Sequence, residues 1–404
     1  MLCSVFTPTH DAAFLPETYK SLQQQQHTEF EWLIVPNSDR SRKLPSIPAN
    51  ITRDSRVRVL PAPKDLRTIG ALKKYACSRA RGDVLVELDH DDLLTPHVLA
   101  KIVKAAEDGA DFVFSDTAVF HHGSNQPFEY GADYGWKHYD VCVYGLKLRA
   151  ARNFPVTPRS LSEIFYTPDH VRAWRREVYE KLGGHDERLQ VGDDHDLVCR
   201  TYLGGYKFAD LKCCGYLYRK HEKNTSQLRN AEIQEQQKKT GEKYYALLVQ
   251  EWLRRNQLQE CQLTAAEIPR DDSKQFRWLE NTLQVGCISV GADVLPLLSP
   301  PQVIDFFREA HRVLPSGGYL RLQFPVGGVA AAAPHFRSRW TRDTLAYFSQ
   351  SDLADTLPCA GGNQPAFQLF RYSEKTETKS IPGDYAAAEL CAIKGQHQPG
   401  PVFI

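Results

Sequence analysis

Before residue 90, short apolar runs alternate with segments of helical periodicity, and this alternation restricts the chain to a mostly parallel, doubly wound α/β sheet. Leu2–Thr7 is closed by Pro8, and Phe30–Val35 by Pro36-Asn37-Ser38; Val57–Leu60 and Val84–Leu88 are the third and fourth runs. The runs are apolar at successive rather than alternate positions, as in strands covered on both faces. Leu15–Gln26 and Ile69–Arg81 fit the intervening helices, the second ended by Gly82.

A helix over Pro96–Asp108 and a strand over Asp111–Ser115 continue the pattern, after which Phe120–Pro168 turns aromatic and polar with weak periodicity. Order returns with a helix over Val171–Leu182, the Gly183-Gly184 break, a helix over Asp194–Leu203 and a strand at Tyr216–Arg219. Asn230–Gln259 is rich in Glu, Gln, Lys and Leu, without Pro and with a single Gly, which predicts one long connecting helix. From about Cys261 the chain is richer in Pro and Gly; a helix at Pro301–Val313, a turn at Pro315–Gly318 and a strand at Tyr319–Phe324 predict a second, smaller α/β domain. At 404 residues a single core is near its limit, so we expect domains over 1–225 and 263–404 joined by a helical connector over 226–262.

Lys plus Arg number 50 against 49 for Asp plus Glu, and a formal charge of +1 creates no global field toward nucleic acid or anionic lipid. Ten cysteines lie without a Cys-x-x-Cys pair, and the adjacent Cys213 and Cys214 are badly placed to bond each other, so they read as reduced thiols. MLCSVFTPTHD lacks the basic start and apolar stretch of a secretory signal, and no apolar run reaches about 18 residues, so the expected address is the cytoplasm, with no transmembrane segment.

The chemistry concentrates in two acidic turns. Leu88-Asp89-His90-Asp91-Asp92-Leu93-Leu94 puts three carboxylates at the carboxyl end of a strand, where doubly wound sheets bind ligands. Hard oxygen ligands suit Mg²⁺ or Mn²⁺; the mundane alternative is a solvated turn capping the helix after Pro96. The second is Gly183-Gly184-His185-Asp186-Glu187-Arg188 followed by Val191-Gly192-Asp193-Asp194-His195-Asp196-Leu197. On spacing alone, N-capping by Asp193 or Asp194 explains it best.

Taken in order with Pro8-Thr9-His10-Asp11, these turns resemble those of the family 2 glycosyltransferases of the Rossmann-like GT-A fold, over about residues 1–225. The resemblance implies a donor pocket with Pro8, Thr9 and Asp11 on the nucleotide, Asp89 on the ribose side with His90 beside it, and Asp91 on a Mn²⁺ or Mg²⁺ ion bridging the diphosphate. It makes Asp92 a buttress, Asp194 the catalytic general base and Asp193 its acceptor-side neighbour. The segment Tyr218-Arg219-Lys220-His221-Glu222-Lys223-Asn224 is similar to the family's late basic element, so His221 ligates metal or donates to the diphosphate, and Lys73 is a further diphosphate candidate. Where many relatives carry paired Asp after the second strand, this chain has Pro36-Asn37-Ser38-Asp39, in which Asn37 or Asp39 would hold the base. Tyr130, Tyr134, Trp136, Tyr139 and Trp174 offer flat faces to an acceptor sugar, with Trp136 and Trp174 foremost. No Gln-x-x-Arg-Trp element follows, so the resemblance implies a soluble, non-processive, inverting enzyme. It would move one sugar from a nucleotide-sugar donor, leaning to a UDP-sugar, to a glycan, lipid-linked or protein acceptor. The rival readings are a phosphohydrolase with Asp89 as nucleophile and Asp91 as acid, and a non-catalytic carbohydrate-binding or scaffold protein.

In the second domain, Ala292–Phe324 and Pro334–Thr341 resemble the later half of a methyltransferase that uses S-adenosylmethionine. Its front half, with the Gly-x-Gly loop, has no match beyond Val285-Gly286-Cys287. A degenerate domain used for packing, for a partner or for self-association is therefore expected.

Overall fold

The computed structural model describes residues 1–37, 44–63, 65–124, 127–131, 135–164, 167–268, 284–326, 336–349, 367–378 and 381–394. Asp39, Tyr134, Pro334 and His335 lie outside the described residues. The chain divides into two compact units: Met1–Ala132 with Trp136–Glu251, and Asp133–Gly135 with Trp252–Ile404.

The first unit opens with β1 (Cys3–Thr9), α1 (Leu15–Gln23), β2 (Phe30–Pro36), α2 (Ala49–Thr52), β3 (Val57–Val59), α3 (Ile69–Ser78) and β4 (Val84–Glu87). It continues through β5 (Leu93–Leu94), α4 (Val98–Glu107), β6 (Phe112–His121), β7 (His138–Val143), β8 (Leu146–Ala151), α5 (Pro158–Glu163) and β9 (Arg172–Arg175). It ends with α6 (Arg176–Lys181), α7 (Asp193–Leu203), β10 (Phe208–Lys220), α8 (Thr225–Leu228) and most of α9 (Asn230–Arg255). The sheet order is β3-β2-β1-β4-β9-β6-β10-β5, with the β7–β8 hairpin attached to β6.

β1, β2, β3 and β4 are mutually parallel, and the α/β class is observed as expected. The chain runs outward from β1 to β2 and β3, then returns through α3 to place β4 on the other side of β1. A topological switch point thus falls between the carboxyl ends of β1 and β4, which is where open α/β sheets bind ligands. All seven residues of β1 are buried, and its hydroxyls find partners: Ser4 Oγ donates to Glu31 Oε1 (2.7 Å) and Thr7 Oγ1 to the Leu88 carbonyl (2.7 Å). Pro8 stays inside the strand, paired with Val35, rather than closing it.

The expected helix over Val171–Leu182 is a correction. Its first part is β9, antiparallel between β4 and β6, and only Arg176–Lys181 is helical. Arg-Ala-Trp-Arg carries no strand periodicity of its own; the ladders of β4 and β6 leave a row of unpaired backbone groups on each side that only a strand satisfies. In the weakly periodic stretch, β7 and β8 close around Tyr144 (φ 54) and Gly145 (φ 79), a two-residue turn whose positive angles glycine signals and tyrosine does not.

The long helix α9 packs tightly on the first unit. A Cβ at Gly241 would collide with the Ser162 carbonyl oxygen, and Tyr244 Oη donates to Asp196 Oδ1 (2.8 Å). The second unit has its own sheet, β11-β12-β13-β15-β14, of β11 (Gln259–Leu263), β12 (Val285–Val290), β13 (Tyr319–Pro325), β14 (Phe367–Thr378) and β15 (Ile381–Ala392). The first three strands are parallel and the terminal hairpin antiparallel. Its helices α10 (Pro300–Val313) and α11 (Arg342–Ser349) supply Phe306, Phe307, Leu345 and Phe348 to a separate apolar core. Gly286 lies inside β12, where a Cβ would meet Leu253 at 2.5 Å and Leu258 at 2.8 Å. That glycine serves close packing and forms no loop.

Candidate active site

The two turns at the switch point lie against each other. The rings of His10 and His90 meet edge to face at 4.8 Å, and Thr18 Oγ1 donates to the His90 carbonyl (3.0 Å). Thr9 Oγ1 donates to the Asp11 carbonyl (2.7 Å), Asp11 Oδ1 accepts the Ala13 N–H (3.0 Å), and the Asn37 N–H donates to the Thr9 carbonyl (2.8 Å). Pro8, Thr9, Asp11, Asn37, Asp89 and His90 therefore come together at one sheet edge.

The three carboxylates of the β4 turn have different surroundings. Asp89 keeps a side chain 36% exposed, and burial raises its pKa. Asp92 is fully buried: Tyr216 Oη donates to its Oδ2 (2.8 Å) and the Arg219 N–H to its Oδ1 (2.6 Å). Burial and then the charges of Asp91 and Asp89 push its pKa well up, so it is a framework group. Asp91 Oδ2 faces His221 Nε2 at 2.8 Å and the Asn224 amide at 3.3 Å. Its pKa is lowered: burial opposes ionisation, but the hydrogen bond from His221 and the charges of His90 and His221 together outweigh it. Because His221 Nδ1 accepts the Lys223 N–H (3.3 Å), the proton sits on Nε2. Ligand atoms at right angles on a Mn²⁺ or Mg²⁺ ion stand about 3 Å apart, so the Asp91–His221 spacing fits two ligands of one cation replacing that proton. Arg219, whose Nε donates to the Asp91 carbonyl (2.6 Å), stacks on Phe14 and Phe120 and holds the segment in place. Lys223 reaches Asp11 at 3.6 Å.

Asp193 and Asp194 do not cap their helix. The N-cap of α7 is Gly192, in the left-handed conformation (φ 70), and no side chain caps it. Both carboxylates instead enter a buried charged network. Lys73 Nζ bonds Glu87 Oε1 at 2.5 Å and lies 3.2 Å from Asp193 Oδ2. Arg172 Nη1 bonds Asp194 Oδ2 at 2.5 Å and His170 Nε2 at 2.9 Å, and lies 3.9 Å from Glu87 Oε2. His170 Nε2 is in turn 3.9 Å from Asp89 Oδ2, so the base candidate and the β4 turn share one cluster. Asp194 is held well below the usual carboxylate range: burial opposes this, but Arg172 and then Lys73 prevail. Lys73 is thus buried in this network, between Glu87 and Asp193. Its pKa stays raised because Asp193 and Glu87 outweigh the burial that opposes its charge.

Asp193 Oδ2, met by Lys73 at 3.2 Å, lies 3.7 Å from His185 Nε2, which has no hydrogen-bond partner among the described residues. Burial, reinforced by Asp194 and Glu87 against Lys73, pushes Asp193 up to about 7, while burial and then Lys73 push His185 down to about 3. Above about pH 4, where an unfolded Asp has lost its proton, folded Asp193 still holds one, so its contribution to stability falls as pH rises toward 7. Folded His185 lacks the proton an unfolded His binds below about pH 6.5, so its contribution rises with pH over most of that window. The two oppose each other, and Asp193→Asn is expected to steepen the rise in stability with pH by up to about 1.4 kcal/mol per pH unit. Urea unfolding between about pH 4 and pH 6.5 measures this; unchanged slopes would refute the raised pKa of Asp193.

The aromatic candidates part company. Trp174 is 0% exposed, tilted against Phe112 at 4.9 Å with its indole N–H on Thr201 Oγ1 (3.1 Å), and so belongs to the core and cannot meet an acceptor. Trp136 packs between Tyr130 (4.8 Å) and Phe154 (4.5 Å) in a small satellite cluster. Tyr139 donates to Asp116 Oδ2 (2.9 Å). Sequence reading missed Glu87, His170, Arg172 and the amide of Asn224. A Glu inside the apolar run Val84-Leu85-Val86-Glu87-Leu88 was the available signal for the first.

Among the described residues, the group of three ligand atoms spaced for one metal ion is Glu87, His170 and Asp194, within 4.8 Å of one another. It does not contain Asp91 or His221. No helix among the described residues is long and apolar enough to cross a membrane.

Residues 4–183 match the family described as Glycosyl transferase family 2. That stretch holds both β1 and β4 turns; Asp193, Asp194 and His221 lie beyond it. The chain is 28% identical over 208 residues to the O-antigen biosynthesis protein RfbC of Myxococcus xanthus, covering 49% of this chain but 14% of that protein. Among solved structures, S. aureus TarS 1-349 in complex with UDP-GlcNAc aligns at 18% identity and TM-score 0.40, over 55% of this chain and 60% of that one. The mannosyltransferase PcManGT from Pyrobaculum calidifontis, in complex with GDP-Man and Mn²⁺, aligns at 16% and 0.38, over 62% and 64%.

Proposed function

Residues 4–183 are a family 2 glycosyltransferase segment, and from that premise we propose that this chain moves one sugar from a nucleotide-sugar donor to an acceptor hydroxyl, with inversion and without processivity. The observation that carries the reading is the meeting of the Asp11 and Asp89–Asp92 turns at the switch point, with Asp194 joined to them through Arg172 and His170. Thr9, Asp11 and Asn37 border the nucleotide, Asp89 faces the ribose, and Asp91 with His221 would hold Mn²⁺ or Mg²⁺. When bound, that ion supplies Lewis-acid neutralisation of the departing diphosphate.

The remaining work belongs to the chain's own groups. Asp194 accepts the proton of the acceptor hydroxyl while that oxygen bonds the anomeric carbon and the bond from that carbon to the diphosphate oxygen breaks. Attack opposite the leaving group inverts the carbon. Asp92, Tyr216, Arg219 and Asn224 hold Asp91 and His221 in register. Uridine is the base we favour, and a glycan, lipid-linked or protein hydroxyl the acceptor.

For the second unit we propose a degenerate methyltransferase-like domain that binds no S-adenosylmethionine and serves a partner or self-association; the packing role of Gly286 supports this, since no Gly-x-Gly loop forms there.

Calorimetry with UDP and GDP, each with and without Mn²⁺, tests the main reading. Nucleotide binding that requires the cation, together with release of nucleoside diphosphate from the matching sugar nucleotide, is expected. Binding without release would instead select a carbohydrate-binding or scaffold protein, and release of inorganic phosphate a phosphohydrolase.

A further inference from the structure

We propose that Arg172 is the resident cation of the Glu87–His170–Asp194 group, standing where a metal ion would otherwise sit and setting the orientation of Asp194. This deepens the reading of Asp194 as the base and rests on it. Nη1 of Arg172 lies 2.5 Å from Asp194 Oδ2, 2.9 Å from His170 Nε2 and 3.9 Å from Glu87 Oε2, touching or approaching each of the three ligand groups. Nε donates to the Pro168 carbonyl (3.2 Å), and the backbone is fixed in β9 opposite Phe114, so the guanidinium has little freedom; the residue is 2% exposed.

The tautomer of His170 follows from the same contact. Guanidinium nitrogens only donate, so His170 Nε2 accepts and its proton lies on Nδ1, facing Asp169 Oδ1 at 3.2 Å. The lone pair that a metal ion would need on Nε2 is therefore spent on Arg172. Asp194 is fixed at both oxygens, Oδ2 by Arg172 and Oδ1 by the His195 N–H (2.8 Å), leaving a lone pair on each for the incoming proton. Arg172 acts through Asp194 and is a positioning residue.

The test uses the full chain with UDP-GlcNAc as donor and water as acceptor. Arg172→Met is expected to lower kcat for UDP release ~100-fold while the affinity for UDP with Mn²⁺ stays within about twofold. Arg172→Lys keeps the buried charge, and so the fold, but not the fork; it is expected to recover about tenfold of that loss. In an Asp194→Asn background, Arg172→Met should cost nothing more, because its effect runs through a group already disabled. Arg172→Met should also bind one more Co²⁺ than the wild type, with a visible spectrum that Glu87→Gln in the same variant abolishes. Equal losses in kcat and UDP affinity, an additive loss in the Asp194→Asn background, a fully active Arg172→Lys, or no additional Co²⁺ would each overturn the proposal. A wild-type chain that binds no nucleotide defeats the glycosyltransferase reading instead, and the Co²⁺ count still decides whether the guanidinium occupies a metal's place.

Discussion

Asp194→Asn is expected to lower transfer by a factor of about 10²–10⁴, the usual contribution of a general base, while leaving nucleotide affinity unchanged. The amide keeps the shape of the carboxylate and can still offer an oxygen to Arg172, so the variant should fold; it cannot take the acceptor's proton. Because Arg172 and Lys73 hold Asp194 ionised against burial, its carboxylate stays in the base form down through the ordinary carboxylate range. The acid limb of the wild-type pH–rate profile should therefore not belong to Asp194 at mildly acidic pH, and Asp194→Asn should lower the whole profile without moving that limb. A limb that disappears in the variant would assign it to Asp194 after all.

Asp91→Ala is expected to weaken binding of a nucleoside diphosphate in the presence of Mn²⁺ by at least about 100-fold, since loss of a supporting group alone costs metal sites 10–100-fold. Without the cation, variant and wild type should bind nucleotide equally weakly, because Asp91 would act on the diphosphate only through the ion. Calorimetry on both proteins, with and without Mn²⁺, decides the matter. If Asp91→Ala and Asp194→Asn lose donor affinity to the same extent, the division of the site into a donor-holding and a proton-accepting half is wrong.

The readable part of the site was contiguous. Asp89 to Asp92 directly follow an apolar run, and the same few residues both end a strand and carry the charge, so one stretch of chain states position and chemistry together. Pro8 to Asp11 and Asp193-Asp194 were legible in the same way, although spacing suggested capping for the latter and Gly192 takes that position instead. Lys73 shows where such reading stops. Its place on the helix before β4 suggested a diphosphate contact, yet Glu87, 14 residues further on, captures it. The acceptor-side reading of Trp174 failed for a related reason: an indole suits a sugar face and a packed core equally well, and only the insertion of β9 between β4 and β6 puts it in the core.

By itself the sequence determined the α/β alternation, the strand ends at which charge collects, and the separate character of the chain beyond the long helix, because apolar periodicity and turn residues act over a few neighbours. Only the tertiary structure decided that Val171–Leu182 begins as a strand, that Arg172 stands among Glu87, His170 and Asp194, and that His221 faces Asp91 across 130 residues of chain. Those outcomes depend on which backbone groups were left unpaired and which buried charges needed an opposite, and both are properties of the assembled sheet that no local stretch of chain contains.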